Sequence, residues 1–292
     1  MDLVRDLTAA HVLKGLGVVA TLVAFKKTIS FLTAKYSPPE KLHADNKPGP
    51  TDTVVLYQFP RPDNVAFPSL SPPCVKLEAY LRLCGVSYVN RFTIAGLGKS
   101  PMGTAPFISL NGVLHADSNL IIPLLEETGL STGLSAHLTP VQQAQAHAIQ
   151  CMVDDVIYHA LVYERWQLDD NWASYKQMVF GKAPFFVKQL VAPMIRAKTV
   201  TALQAHKIGR HTYREVLEKH GRCIDALAVL LGDQEFFFGG ERPSLVDVTV
   251  FAHLGCILAL QIKTMGLAQQ IRAKPNLVRL VERMAALTKL NA

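Results

Sequence analysis

The sequence predicts an α+β chain: a small mixed sheet with helices packed on it, then an all-helical domain, with a hydrophobic segment ahead of both. Three observations predict it. Strand-like and helix-like runs alternate between Thr53 and Gly133, in the order β-α-β and then β-β-α. Asn111-Gly112 separates two short apolar runs, and that dipeptide is the strongest short-range hairpin signal. From Leu134 onward the apolar residues recur at helical spacing and strand signals are few. The chain thus divides into 1–52, 53–133 and 134–292.

Each element has its own local cause. Residues 1–52 hold the uncharged stretch GLGVVATLVAF, Gly15 to Phe25, between Lys14 and Lys26-Lys27. By itself that stretch is short for a bilayer span, and extending it back to Leu7 takes in His11 and Lys14. No small-residue cleavage pattern follows, which favours an uncleaved anchor over a signal peptide. The alternative is an amphipathic helix lying on a surface. Lysines are denser after the stretch than before it, which places the remainder of the chain in the cytosol. If the segment does not span, the protein is cytoplasmic. Ser37 to Asp52, rich in proline and charge, reads as a linker.

Thr53 to Phe59 reads as a strand, and Pro72 to Cys84 as a helix with proline in its first turn and Gly85 just past its end. Ser87 to Thr93 is a second strand. Pro106 to Leu110 and Val113 to Ala116 form the hairpin. Ser118 is expected to cap a helix running through Thr128 and closed by Gly129. In the last segment, Pro140 to Trp166 and His211 to Leu231 are long helical candidates. Ser244-Leu-Val-Asp247 is a capping box opening an apolar helix through Leu260.

Composition excludes several classes of function. Of the 292 residues, 49% are hydrophobic and 18% charged, enough apolar content for a real core. The net charge of +7 is scattered without a basic run or interleaved aromatics. It suits mild affinity for anionic surfaces or substrates and argues against nucleic acid. Five cysteines without a CxxC pair fit a reducing compartment. No zinc spacing, Walker loop, GxGxxG or fixed-period repeat is present.

Four short patterns then carry a resemblance. Ser71-Pro-Pro-Cys74 follows the first strand. Ser100-Pro-Met-Gly103-Thr-Ala-Pro106-Phe-Ile precedes the hairpin, Asp117-Ser118 follows it, and Ser244-x-x-Asp247 opens the apolar helix. In this order and at these separations they resemble the glutathione transferases. Within that superfamily, Tyr57-Gln-Phe-Pro-Arg-Pro-Asp-Asn64, Pro68-Ser-Leu-Ser-Pro-Pro-Cys-Val-Lys-Leu-Glu78, Tyr163-Glu-Arg-Trp166, Ile208-Gly-Arg210 and Asp247-Val-Thr-Val-Phe-Ala-His-Leu254 resemble the failed axon connections family, a relative of metaxin. The resemblance covers roughly Thr53 to Pro275.

The resemblance implies a glutathione site, glutathione being a substrate rather than a resident cofactor, and leaves a homodimer open. Ser71 would be the catalytic residue. A cysteine-like thiol titrates near 8.5, so lowering it by about two units takes roughly 2.7 kcal/mol. A hydroxyl donating to the thiolate supplies about 1.5 to 3 kcal/mol, and the helix N-terminus about 0.3 to 1. The competing reading of Ser71 is a plain N-cap ahead of a proline at the first helical position. Cys74 reads as a small packed residue. Pro106 would be cis and would turn the Ala105 backbone toward the peptide for edge-strand pairing. Asp117 would hold the γ-glutamyl ammonium, and Ser118 with the helix amides its carboxylate. The competing reading of that pair is again an N-cap. Lys99 is a candidate for the glycyl carboxylate and also reads as a solvated loop lysine. Trp166, Trp172 and Tyr163 would line a pocket for a hydrophobic electrophile, or belong to the core.

One departure counts against full activity. Between Thr93 and Ser100 only IAGLGK replaces the usual second helix of the sheet unit. Two functional readings therefore stand: a membrane-tethered glutathione transferase, and a non-catalytic interaction or scaffold protein that keeps the fold and binds a protein partner.

Overall fold

The computed structural model of the chain describes residues 53–61, 65, 67–92, 98–260, 262 and 264–290. The expected anchor and linker, residues 1–52, lie outside the described residues, as do 94–97 of the shortened connection.

Four strands form one sheet in the order β2-β1-β3-β4. They are β1 (Val54–Gln58), β2 (Tyr88–Phe92), β3 (Phe107–Leu110) and β4 (Val113–Ala116). β1 pairs parallel with β2, Val54 opposite Tyr88, and antiparallel with β3, Tyr57 opposite Phe107. β3 and β4 form the hairpin, Phe107 opposite Ala116. Asn111 and Gly112 at its tip both take positive φ, the conformation this dipeptide tolerates. Val54, Leu56 and Gln58 of β1 are buried while Val55 and Tyr57 are only partly so, the alternation of a strand with one face on a core.

Two helices flank the sheet unit: α1 (Pro72–Leu83) and α2 (Ser118–Glu127). α1 carries Lys76 and Glu78 on its buried side. Burial of such groups requires partners, and Glu78 has them. Its Oε2 accepts from Gln58 Nε2 at 2.7 Å, and its Oε1 from Tyr88 OH at 2.9 Å and Asn90 Nδ2 at 3.1 Å. The pair of strands and the helix are thereby locked through one carboxylate.

The remaining elements are helical: α3 (Pro140–Cys151), α4 (Tyr158–Trp166), α5 (Asp169–Phe180), α6 (Ala192–Ala205), α7 (Tyr213–Leu231), α8 (Leu245–Leu258), α9 (Gly266–Arg272) and α10 (Pro275–Thr288). The stretch expected as one helix over 140–166 is continuous but contains a π segment, Met152–Ile157. A second π segment, Val187–Val191, precedes α6. The apolar spacing does not separate these single π turns from the α-helix around them.

α8 is buried on every side from Val246 to Ile257, which is why its sequence is apolar all round. Asp247 anchors its start: Oδ2 accepts from Ser244 N and Ser244 Oγ, each at 2.8 Å, and Oδ1 from Phe237 N at 2.9 Å. α8 packs against α1, so the sheet unit and the helical domain share one core.

Candidate functional site

The strand register brings the predicted residues to one end of the sheet. β1 ends at Gln58 and leads through residues 59–70 to Ser71. Tyr57 pairs with Phe107, which follows Pro106, and Phe107 pairs with Ala116, which precedes Asp117. Tyr57 and Phe107 also stack, with ring centroids 4.5 Å apart. Ser71, Ala105, Pro106, Asp117 and Ser118 thus lie on three neighbouring connections at this end of the sheet, Ser118 at the first helical position after the last of them.

Ser71 occupies the N-cap position of α1 in extended conformation, and Pro72 begins the helix. Its side chain makes no cap bond, contrary to the cap reading. The hydroxyl and the Phe59 backbone lie beside the Cys74 thiol, and both favour its ionised form. Burial dominates at Cys74 and pushes its thiol up to about 11 despite these neighbours. Cys74 has no exposed surface and is a protonated packing residue at neutral pH.

The chain ahead of Ser71 is pinned by the helical domain. Arg165 of α4, 4% exposed, donates to Leu70 O at 2.6 Å and to Cys256 O of α8 at 2.9 Å. Cys256 Sγ donates to Ser69 O at 3.3 Å, and Ser71 N donates to Ser69 Oγ at 3.1 Å. Phe67 lies edge-on to Phe251 and covers Gly255 so closely that a Cβ there would sit 2.2 Å from its ring. The position of Ser71 is therefore set by α4 and α8 as much as by its own loop.

The Ala105–Pro106 peptide bond is cis. Pro106 is buried and Ala105 half-buried. Among the described residues no hydrogen bond engages the Ala105 main chain, so its N–H and C=O are open to an extended peptide.

Asp117, not Ser118, caps α2: its carboxylate Oδ1 accepts from Asn119 N at 2.9 Å. Ser118 is the first helical residue and is 3% exposed. Asp117 holds φ 72 and ψ 114, a conformation that a residue with a side chain rarely adopts. Lys99 is exposed. Trp172 and Tyr163 are buried, Trp166 stacks on Trp172 at 5.1 Å, and Tyr163 OH donates to His211 O, so this trio belongs to the core.

Sequence reasoning missed a buried charge cluster beneath these loops. Lys76 of α1, 1% exposed, donates to Asn119 Oδ1 at 2.6 Å and pairs with Asp154 Oδ2 at 2.7 Å. Asp154 sits in the first π segment, and its Oδ1 lies 3.6 Å from His253 Nε2 of α8. His253 Nδ1 bonds Thr249 O at 2.8 Å, and burial holds its pKa down at about 4, so it is neutral. The available signal was Lys76 and Glu78 inside an otherwise apolar helix. Two recesses, of about 300 and 430 Å3, are lined by neither Ser71 nor Ala105.

A thioredoxin-like sheet unit followed by a helical bundle, with a hydroxyl, an open peptide edge and a capped helix start at one end of the sheet, is the architecture of glutathione S-transferases. The glutathione S-transferase N-terminal domain family matches residues 72–172, and the glutathione S-transferase C-terminal domain family matches residues 221–284. The Drosophila melanogaster protein "Failed axon connections" is 33% identical over 270 residues, 85% of this chain and 60% of its own length. Human metaxin-2 is 25% identical over 80% of this chain and 88% of its own length. The chain belongs to the failed axon connections family, related to the metaxins, within the glutathione S-transferase superfamily.

Two solved structures share the fold. A glutathione S-transferase from Methylobacterium radiotolerans, in complex with glutathione sulfonate, superposes with a TM-score of 0.54 at 18% identity, over 80% of this chain and 91% of that one. A second, from Methylobacillus flagellatus with glutathione bound, gives 0.52 at 17% identity, over 82% and 98%.

Proposed function

We propose that the protein binds glutathione at the sheet end formed by Ser71, Ala105, Pro106, Asp117 and Ser118. The observation that carries this is Asp117. A non-glycine residue at φ 72, ψ 114 costs of order 1–3 kcal/mol and persists where the surroundings impose it, typically at ligand sites. Here the carboxylate spends one oxygen on the Asn119 amide and keeps the other for an ammonium. The Ala105 main chain pairs with the cysteinyl backbone, and the start of α2 receives the γ-glutamyl carboxylate. The two structures that share this fold, one holding glutathione sulfonate and one glutathione, support the assignment. The test is a titration with glutathione against one with cysteinylglycine, which lacks the γ-glutamyl group: the first binds and the second does not.

In the catalytic form of this reading, Ser71 donates its hydroxyl to the bound thiolate. The sulfur displaces a leaving group from an electrophilic carbon of a hydrophobic acceptor: the C–S bond forms as the bond to the leaving group breaks, that group departs with its electron pair, and the thiol proton passes to solvent. A second reading, a non-catalytic scaffold for a protein partner, is favoured by one specific observation: neither recess of the described residues is lined by Ser71 or Ala105. The metaxin relatives agree with it.

We further propose that residues 1–52 tether the protein to a membrane with both domains in the cytosol. The support is the apolar stretch Gly15 to Phe25 followed by a lysine pair. Among the described residues no helix is long and apolar enough to cross a membrane. The full chain should therefore resist carbonate extraction, and recovery in the soluble fraction after gentle lysis would exclude the tether.

A further inference from the structure

The 44 residues between Asp170 and Glu215 contain no aspartate or glutamate and eight lysines and arginines. The chain holds 23 acidic residues in 292, so about three or four would ordinarily fall in a stretch of that length. Aliphatic and aromatic surface is concentrated in the same place. Of the 13 large hydrophobic side chains exposed among the described residues, four lie within residues 185–195: Phe185, Leu190, Met194 and Ile195.

The backbone explains how they come to be exposed together. Residues 185–205 form one continuous helix containing the second π segment, Val187–Val191. Its inner side is fixed by buried Val187, Ala192 and Leu203. Arg196 holds the helix to the end of α4, donating to Trp166 O at 2.8 Å and Gln167 O at 3.1 Å, and uses its charge on Asp169 at 2.6 Å. Leu190 and Met194 are four residues apart and share one outward face. They are 63% and 58% exposed, and Phe185 at the helix start is 76% exposed. Lys198 is exposed on the same helix and Lys188 partly so, and no ion pair among the described residues engages either.

We infer that this helix is a docking surface for an anionic lipid bilayer. Exposed apolar side chains beside unpaired Lys188 and Lys198, on a helix that carries no carboxylate of its own and whose neighbour Asp169 is paired with Arg196, are the composition of an interfacial helix. Nucleic acid would use the cations but leave Phe185, Leu190 and Met194 in water. The surface lies 160 residues beyond the end of the N-terminal apolar stretch at Phe25 and shares no residue with the tether or the glutathione site. It would lay the helical domain flat against the membrane rather than leaving it on a free linker.

The experiment is hydrogen–deuterium exchange on the full chain with vesicles of phosphatidylcholine alone or with about one third phosphatidylserine. The peptide over 185–198 should exchange about threefold or more slowly with the anionic vesicles only, and raised salt should abolish the effect. Lys188→Glu with Lys198→Glu, and separately Leu190→Ser with Met194→Ser, should each remove the protection while leaving the thermal midpoint unchanged. Equal protection by neutral vesicles, or none by anionic ones, would overturn the inference. So would equal protection by polyuridylate, which offers charge without an apolar phase. Exchange that slows with protein concentration in the absence of vesicles would assign the surface to a second copy instead.

Discussion

Asp117 shows how much one residue can hold. It caps α2, adopts a backbone conformation suited to glycine, and stands where a γ-glutamyl group would be received. Replacing it separates these roles. Asp117→Ala loses the cap bond and keeps the unfavourable φ, whereas Asp117→Gly loses the bond and relieves the backbone. The glycine variant should be the more stable of the two by at least about 1 kcal/mol in urea unfolding, although neither responds to glutathione. Equal stabilities would show that the conformation carries no cost. Ser71 illustrates the converse: sequence placed it at a helix start, yet its side chain makes no bond to the helix amides and lies beside the Cys74 thiol. Residue types at a helix start do not reveal whether the cap bond forms.

Glu164 makes a second residue-scale prediction, through pH. It is fully buried, accepts from Tyr213 OH at 2.7 Å and Leu267 N at 3.1 Å, and is pushed by burial from 4.5 up to about 7. Between those values the folded protein keeps a proton that the unfolded chain has released, so this group makes stability fall as pH rises. His253 acts in the opposite sense. Burial depresses it from 6.5 to about 4, and its contribution to stability is lost as pH falls through that window. Glu164→Gln isolates the first effect. The stability difference between variant and wild type should shift in favour of the variant by up to roughly 3 kcal/mol between pH 4.5 and 7. A difference that does not change with pH would show that Glu164 is ionised when folded.

At the scale of elements, the Tyr163-Glu-Arg-Trp166 motif turns out to be scaffolding. Tyr163 reaches the chain before α7, Glu164 holds the start of α9, and Arg165 clamps the loop before Ser71 to α8. The sequence marked the motif as distinctive but gave no hint of these targets, because each lies tens of residues away in the chain. The same holds for Phe67 and Gly255. A glycine inside a buried helix signals a close approach without naming what approaches. Gly255→Ala should cost about 1–3 kcal/mol by displacing Phe67 and its loop. Combined with Phe67→Ala, the loss should be smaller than the sum of the two single losses. Strict additivity in chemical denaturation would mean that the loop does not rest on α8. The hairpin, by contrast, was fully legible, since Asn111-Gly112 fixes its turn locally and both strands follow from it.

For the molecule as a whole, sheet unit and helical domain were readable because alternation and helical period differ along the chain. The buried polar cluster joining them was not. Lys76, Asp154 and His253 come from α1, a π segment and α8, and only the folded chain brings them together. Lys76 also grips Asn119, next to Ser118, so the helical domain bears on the site from below as Arg165 does from the side. The central claim is that this jointly held end of the sheet receives glutathione. The most direct measurement is calorimetric titration of the full chain with glutathione, with cysteinylglycine as control. Saturable heat with a dissociation constant between micromolar and millimolar, absent with the dipeptide and in Asp117→Ala, is the predicted result. No heat and no rise in thermal midpoint at millimolar glutathione would contradict the claim and leave the scaffold reading in its place.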